Sequence, residues 1–199
     1  MDLAQKSQAV MDLFAELESE TKQFAAESDL NCLSGCGFCC VNPKVPASPL
    51  EFLPLAFDLY SKGLAESSLK QIEEMDEEES CIIYRAQSID GSKGFCGNHK
   101  MRGMICRLFA ASARRNKYGS KELIICKVLK EEKTGQFETA TKRINAGMQI
   151  PLATSFYSRL EEIDTTLCQQ FTINKAIIYA LELVLRYQFY QDQKITPIV

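Results

Sequence analysis

A nine-residue stretch, Cys32 to Cys40, limits what this chain can fold into more than any other feature. It places four cysteines around two glycines in the order Cys-Leu-Ser-Gly-Cys-Gly-Phe-Cys-Cys. Backbones rarely crowd thiols in this way unless the sulfurs are joined as disulfides or bound to a metal. The stretch is therefore part of a disulfide framework or part of a metal site.

The rest of the chain favours the metal site. The N-terminus lacks the basic and apolar regions of a secretion signal. The most apolar stretch, Ala176 to Leu185, contains Glu182 and is shorter than a bilayer span. We therefore expect a cytoplasmic protein without membrane contact, whose thiols stay reduced. The cysteine count of nine is odd, so a fully paired scheme would leave one thiol over. The net charge of -3 argues against a general attraction to nucleic acid.

Four later cysteines can complete a site that the first four begin. Thiolates are soft ligands that suit zinc or an iron–sulfur cluster. Adjacent Cys39 and Cys40 leave the backbone in different directions, which favours a cluster or two neighbouring sites over a single ion. Eight thiols suffice for two four-cysteine sites or one polynuclear cluster. The predicted metal ligands are Cys32, Cys36, Cys39, Cys40, Cys81, Cys96, Cys106 and Cys126. Cys168 follows an apolar helical stripe and is interpreted as a core residue.

Hydrophobic periodicity predicts a mostly α fold in one domain, 1–199, with at most a small two-stranded β element. We expect an N-terminal helix in 1–29, the cysteine-rich centre in 30–130 and further helices in 131–199. Ser48, Pro49 and Glu51 form the pattern of a helix start with a capping box. Within the centre, short strands are predicted at 81–84 and 123–128, a turn at Asp90-Gly91 and a helix over 101–113.

The last predicted helix, 174–191, is apolar on nearly every side. Such a helix must be buried, either in the core of its own chain or at an interface. The terminal helices could therefore serve a homo-oligomer or a protein partner.

The order and spacing of the cysteines resemble the YkgJ-type cysteine-cluster family, described as a zinc- or iron-chelating domain. The matching features are Cys-x3-Cys-x2-Cys-Cys from Cys32, the lone Cys81, and Cys96-x9-Cys106 followed by Arg107. His99 stands where tyrosine is usual in that family, and Gly103 where proline is usual. The resemblance covers about residues 30–128. It implies a bound metal in a mostly helical domain and says little about a reaction. A similar cluster in flagellin lysine-N-methylases is thought to hold iron–sulfur, which favours iron by analogy.

Two classes of function stay open. In the first, the metal is structural or stored and the protein is a binding module. In the second, a [4Fe–4S] cluster serves an oxidoreductase or a radical-SAM-like modifying enzyme. Cys32, Cys36, Phe38 and Cys39 also fit the radical-SAM signature, but the repeated strand–helix units of that fold are not predicted here. Whether the protein is an enzyme is not decided by the sequence.

Three basic side chains near Cys106 have predicted supporting roles. His99, the single histidine, is expected to be hydrogen-bonded or solvent-facing rather than a ligand. Arg102 and Arg107 flank Cys106, and their guanidinium groups could offset the charge of nearby thiolates.

Overall fold

The fold is built from eight α-helices in the part of the chain that the structure describes. The structure, a computed structural model, describes residues 1–76, 78–89 and 93–195. The predicted turn at Asp90-Gly91 lies outside these residues. The helices are α1 (Leu3–Ser28), α2 (Pro49–Ser61), α3 (Ala65–Glu73), α4 (Met104–Leu108), α5 (Lys127–Glu132), α6 (Thr134–Asn145), α7 (Ala153–Ile163) and α8 (Ile173–Ile195).

The strands form small antiparallel pairs. β1 (Pro46–Ala47) pairs with β6 (Phe171–Thr172), β2 (Tyr84–Ala86) with β3 (Gly94–Cys96), and β4 (Ala113–Arg115) with β5 (Lys121–Leu123). The mostly α prediction is confirmed. Within the described ranges the β structure consists of three such pairs rather than one.

Two apolar clusters hold these elements together. In the larger one, α2 packs against both α1 and α8, α7 packs against α1, and α3 packs against α8. Val10, Leu17, Leu53, Leu160 and Leu181 are completely buried there. The smaller cluster joins the C-terminal end of α1 to α6, with Phe24, Ala140 and Ile144 buried. The α1 stripe thus packs on its own chain, because its apolar residues recur on one face of a 3.6-residue helix.

Helix α8 is less completely buried than its sequence predicts. Ala176, Ile177, Ala180, Leu181 and Val184 are fully buried, whereas Phe189 and Tyr190 are 58% exposed. The buried face belongs to the larger cluster, so its apolar character needs no partner chain to explain it. Within the described ranges, no helix combines the length and apolarity needed to cross a bilayer.

The centre of the chain is more irregular than predicted. The helix expected over 101–113 is only α4, because Ala110 adopts a left-handed φ of 65° and its N–H donates to the Ile124 carbonyl at 2.7 Å. Pairing with the segment around Ile124 therefore replaces helical hydrogen bonds. The strand expected at 81–84 begins only at Tyr84, whose N–H closes a turn onto the Cys81 carbonyl at 2.8 Å.

The strand predicted at 123–128 is also shorter. β5 ends at Leu123, and Cys126 caps the start of α5 instead of lying in a strand. Its sulfur accepts the Leu129 N–H at 3.4 Å, a capping contact that an apolar run does not reveal.

Candidate metal centre

The Cys32–Cys40 loop is folded by its own backbone into two tight turns. The Cys36 N–H donates to the Leu33 carbonyl at 3.3 Å, and the Cys40 N–H donates to the Gly37 carbonyl at 2.8 Å. Gly35 has a φ of 68°, a conformation that side chains with a Cβ rarely adopt. The loop is therefore a compact frame that sets its thiols close to one another.

The β2–β3 hairpin folds onto this loop and brings Cys96 with it. The Gly94 N–H donates to the Gly35 carbonyl at 3.0 Å, and Cys36 forms an isolated bridge with Lys93. A Cβ on Gly37 or on Gly94 would overlap the Tyr84 ring. Both glycines are thus required by close packing, and the register of the hairpin sets Cys96 opposite Tyr84.

Cys81 is attached to the same loop by a main-chain contact. Its N–H donates to the Cys40 carbonyl at 3.0 Å, and its side chain is only 8% exposed within the larger apolar cluster. A cysteine 41 positions along the chain is therefore held directly against the Cys39-Cys40 pair.

Cys106 is positioned through the buried carboxylate of Glu51. One oxygen of Glu51 accepts the Ser48 N–H at 2.8 Å and the Ser48 hydroxyl at 3.0 Å, which is the predicted capping box. The other oxygen accepts the Ile105 N–H at 3.1 Å, at the start of α4. Glu51 is completely buried. It thus joins the first turns of α2 and α4 and fixes the helix that carries Cys106.

Sequence reasoning missed this second role of Glu51. The capping-box pattern accounts for one carboxylate oxygen only, and Ile105 lies far along the chain. A buried carboxylate needs hydrogen-bond donors for both oxygens. No sequence pattern shows which distant backbone N–H donates to the second carboxylate oxygen.

The thiols influence one another strongly. Cys39 and Cys40 have sulfurs 4.0 Å apart, and their hydrogen bond lowers the pKa of Cys39 to about 7 while raising that of Cys40. Burial, followed by the sulfurs of Cys39, Cys36 and Cys126, raises the pKa of Cys32. Cys36, Cys39 and Cys126 thus lie close enough to Cys32 for their charges to act on it.

The more buried thiols show the same mutual effect. Burial raises the pKa of Cys81 to about 11, with Cys96 and Cys39 adding to the shift. Burial also raises the pKa of Cys106, and the charges of Cys81, Glu51, Cys39 and Cys96 add to it. Crowded thiolates repel one another, and a bound cation would relieve that repulsion.

The residues fit a thiolate-bound metal by the chemistry of their donors. No three His, Cys, Asp or Glu side chains among the described residues form a group that could already hold an ion, so the sulfurs would have to draw together around it. Soft thiol donors in this number suit zinc or iron–sulfur. The predicted ligand set itself stays a prediction.

Cys168 is the one cysteine outside the predicted ligand set. It sits in a short 3₁₀ helix, Thr166–Cys168, half-buried against the larger apolar cluster. Burial raises its pKa to about 12, and its charged neighbours are carboxylates, Glu161, Glu51 and Asp164. The structure thus places Cys168 at the edge of the larger cluster rather than in the core predicted for it.

The two arginines act differently from each other. Arg107 is buried and pairs with Glu18 of α1; its guanidinium donates to the Arg102 carbonyl at 3.1 Å and the Lys100 carbonyl at 2.5 Å. It also lies 4.3 Å from the Phe14 ring centre. These contacts therefore hold the segment before Cys106 against α1. Arg102, in contrast, counteracts the rise that burial causes in the pKa of Cys96.

His99 is hydrogen-bonded, as predicted. Its Nδ1 lies 2.7 Å from the Arg102 guanidinium, which also donates to the His99 carbonyl at 2.8 Å. Because Arg102 can only donate, Nδ1 is the acceptor, and burial together with Arg102 lowers the pKa of His99. One ring nitrogen is thus already engaged by a cation.

Gly103 occupies a backbone position that suits proline. Its φ of -64° is the value that a proline ring imposes. A Cβ there would lie 2.8 Å from the Phe52 ring and 3.0 Å from a Glu51 oxygen. Glycine at this position therefore keeps the turn and leaves room for the Phe52 ring.

Comparisons with known proteins bear on the cysteine set alone. No curated protein and no solved structure matches this chain. The model of the CxxCxxCC family, described as "Putative zinc- or iron-chelating domain", matches residues 31–142. That range is more than half of the 199 residues and contains all eight proposed ligands. The chain therefore belongs to the CxxCxxCC zinc- or iron-chelating family, the YkgJ-type family that its cysteine spacing resembles.

Proposed function

We propose that the protein is a metal-binding module whose eight cysteines hold zinc or an iron–sulfur cluster. The observation that carries this proposal is the attachment of distant cysteines to the short loop that holds the first four. Cys81 is hydrogen-bonded to Cys40, the hairpin of Cys96 is bonded to Gly35, and the charge of Cys106 interacts with Cys39 and Cys81. A core could be built without this arrangement, whereas thiolate coordination requires it.

The position of the cysteines favours binding over catalysis. Two cavities of about 400 Å³ and 260 Å³ are lined mainly by α8 and the segments beside it, and none of the eight cysteines lines either one. Catalytic metal sites keep an open position beside a concave pocket. A structural or stored metal accounts for the observed arrangement without a substrate.

A redox or modifying role is the second candidate. Cys32 is exposed, and Cys36, Cys39 and Cys126 are half-buried. Electrons or a small reactant could therefore reach a cluster at this end of the site. A reduced, cytoplasmic setting suits both candidates, because thiols must stay free of disulfides to bind metal.

The decisive experiment is anaerobic purification followed by elemental analysis, a sulfide assay and a visible spectrum. A brown protein with iron and acid-labile sulfide supports the cluster, whereas a colourless protein with stoichiometric zinc supports zinc. Cys39→Ala and Cys96→Ala should each lower the metal content, and Cys168→Ala is the matched control that should not. A wild-type protein with no metal and four closed disulfides would overturn the proposal.

A further inference from the structure

The hairpin of β4, β5 and the turn between them, residues 113–123, concentrates positive charge in a chain that is acidic as a whole. The total charge is -3, but this basic hairpin carries Arg114, Arg115, Lys117 and Lys121 against the single acid Glu122. We propose that the basic hairpin binds single-stranded nucleic acid, with its cations on the phosphates and Tyr118 stacked on a base. The total charge argues only against a general attraction, and the inference does not depend on the proposed metal binding.

Two cations of the basic hairpin face each other without an acidic partner. Arg115 of β4 is the direct cross-strand partner of Lys121 of β5, so both side chains lie on the same face. In the part of the chain that the structure describes, neither forms an ion pair. Arg115 donates to the Gly119 carbonyl at 3.0 Å and Lys121 to the Met148 carbonyl at 3.5 Å. Like charges in this position destabilise a strand pair, and a bound phosphate would relieve their repulsion.

The one acid of the basic hairpin is engaged elsewhere. The Glu122 carboxylate accepts the Arg114 guanidinium at 3.3 Å and the Asn116 side-chain amide at 3.1 Å. Arg114 is also its cross-strand partner, one position away from the Arg115–Lys121 pair and therefore on the opposite face. The hairpin's own acid thus leaves the charge of that pair open to an external anion.

The turn of the basic hairpin holds an aromatic ring in solvent. The Asn116 side-chain oxygen accepts the Tyr118 N–H at 2.9 Å and the Ser120 N–H at 3.1 Å, and Gly119 supplies a left-handed φ of 81°. Tyr118 is 78% exposed, and the Lys117 ammonium lies 5.0 Å from its ring centre. A base can stack on such a ring while the cations beside it bind the neighbouring phosphates.

Helix α6 supports the basic hairpin and extends its charge. The Lys121 N–H donates to the Asn145 side-chain oxygen at 2.8 Å, and the Asn145 amide donates to the Lys121 carbonyl at 2.9 Å. Lys142 lies three residues before Asn145, on the same side of α6, and Glu138, one turn further, ends the basic surface. A surface fixed in this way loses little conformational freedom when it binds.

The exposed side chains favour nucleic acid over an anionic membrane. The exposed neighbours of Tyr118 in the turn are Lys117, Gly119 and Ser120, which offer no apolar surface for insertion between lipids. A strand of nucleic acid needs no such surface, because every base offers a stacking face and every linkage a phosphate.

The test is fluorescence anisotropy of a labelled, short oligothymidylate titrated with the full chain, at salt concentrations from about 50 to 200 mM. With phosphates on Arg115, Lys117 and Lys121, the affinity of the wild type should fall with salt with a log–log slope of about -2. Arg115→Gln should weaken binding about fivefold and make the slope shallower by about 0.7. Tyr118→Ala should weaken binding about tenfold and leave the slope unchanged.

Matched controls remove the same groups from other surfaces. Lys70→Gln on α3 and Tyr190→Ala on α8 alter exposed side chains outside the basic hairpin and should bind as the wild type does. Arg115→Lys keeps the charge and should keep the slope, which separates a phosphate contact from a general effect on the hairpin. Metal content should be the same in all these variants, so this inference and the proposed function can fail independently.

Three results would overturn the inference. The first is the absence of saturable binding by the wild type at the lowest salt concentration. The second is an equal loss of affinity in the hairpin variants and their controls, or no loss in Tyr118→Ala. The third is binding to phosphatidylserine-containing vesicles in preference to the oligonucleotide, which would assign the basic hairpin to a membrane surface instead.

Discussion

The buried carboxylate of Glu51 accepts the backbone N–H of Ile105 at 3.1 Å, next to Cys106. The same side chain accepts both polar hydrogens of Ser48, so one residue serves the first turns of two helices. Helix α2 belongs to the larger apolar cluster and α4 carries a proposed ligand. This contact is therefore one of the links between the helical framework and the cysteine-rich centre.

Replacing Glu51 should weaken that link. Glu51→Ala leaves buried donors of Ser48 and Ile105 without an acceptor, and we expect a loss of about 3 kcal/mol in the free energy of unfolding. Burial raises the pKa of Glu51, so the neutral Glu51→Gln variant should lose less stability than Glu51→Ala. Urea denaturation measures both. Glu66→Ala, in the exposed first turn of α3, is the control, and equal stability of Glu51→Ala and Glu66→Ala would contradict the role of Glu51.

Replacing Arg107 should also destabilise the fold. Arg107→Met removes the nearer of the two arginine partners of Glu18, the other being Arg102 at 3.8 Å, and leaves two carbonyl groups without their donor. We expect a loss of about 2 kcal/mol, discounted for the partial exposure of Glu18. Arg159→Ala breaks a more exposed ion pair with Glu16, which lies on α1 as Glu18 does, and should cost about 0.5 kcal/mol or less. Similar unfolding midpoints for the two variants would argue against this role of Arg107.

A methyl group at Gly94 should disturb the hairpin. Because the added Cβ would overlap the Tyr84 ring and the Arg85 carbonyl, Gly94→Ala should lose about 2 kcal/mol of stability and part of its metal. Gly135→Ala, where a Cβ meets open space within α6, should instead gain about 0.5 kcal/mol. Thermal unfolding and metal analysis of the two variants check the contrast. A Gly94→Ala protein as stable as Gly135→Ala would show that the hairpin accommodates the methyl group, which would contradict the predicted steric cost.

The Lys6–Asp164 pair should make stability depend on acid pH. Burial alone would raise the pKa of Asp164, but hydrogen bonds from Lys6, at 2.5 Å, and from the Leu167 backbone outweigh it and hold the pKa low. A folded-state pKa below the unfolded value stabilises the fold above about pH 4, and this stabilisation is lost as the pH falls further. Asp164→Asn should therefore be less stable than wild type at pH 7, with a difference that shrinks towards pH 2. Urea midpoints of the metal-free proteins measure it, and a constant difference would refute the linkage.

Metal removal should loosen the centre and spare the framework. The larger apolar cluster gets most of its buried side chains from α1, α2, α7 and α8, none of which carries a proposed ligand. Chelation should therefore leave most of the helical circular dichroism intact while hydrogen exchange accelerates in the Cys32–Cys40 loop and the β2–β3 hairpin. A cooperative loss of all helical signal would mean that the metal supports the whole fold.

The sequence by itself determined the helical framework and the donor set. The apolar stripe of α1, the capping box at Ser48 and the cysteine spacing are local patterns, because 3.6-residue periodicity and cap chemistry act over a few residues.

Tertiary structure decided how the centre is arranged. The left-handed Ala110 and the attachment of Cys81 to Cys40 depend on hydrogen bonds between segments that are separated along the chain. The second bond of Glu51 and the turn of Arg107 towards Glu18 depend on which helices meet. Short apolar runs do not encode these choices, since a buried polar group takes whichever partner packing places beside it.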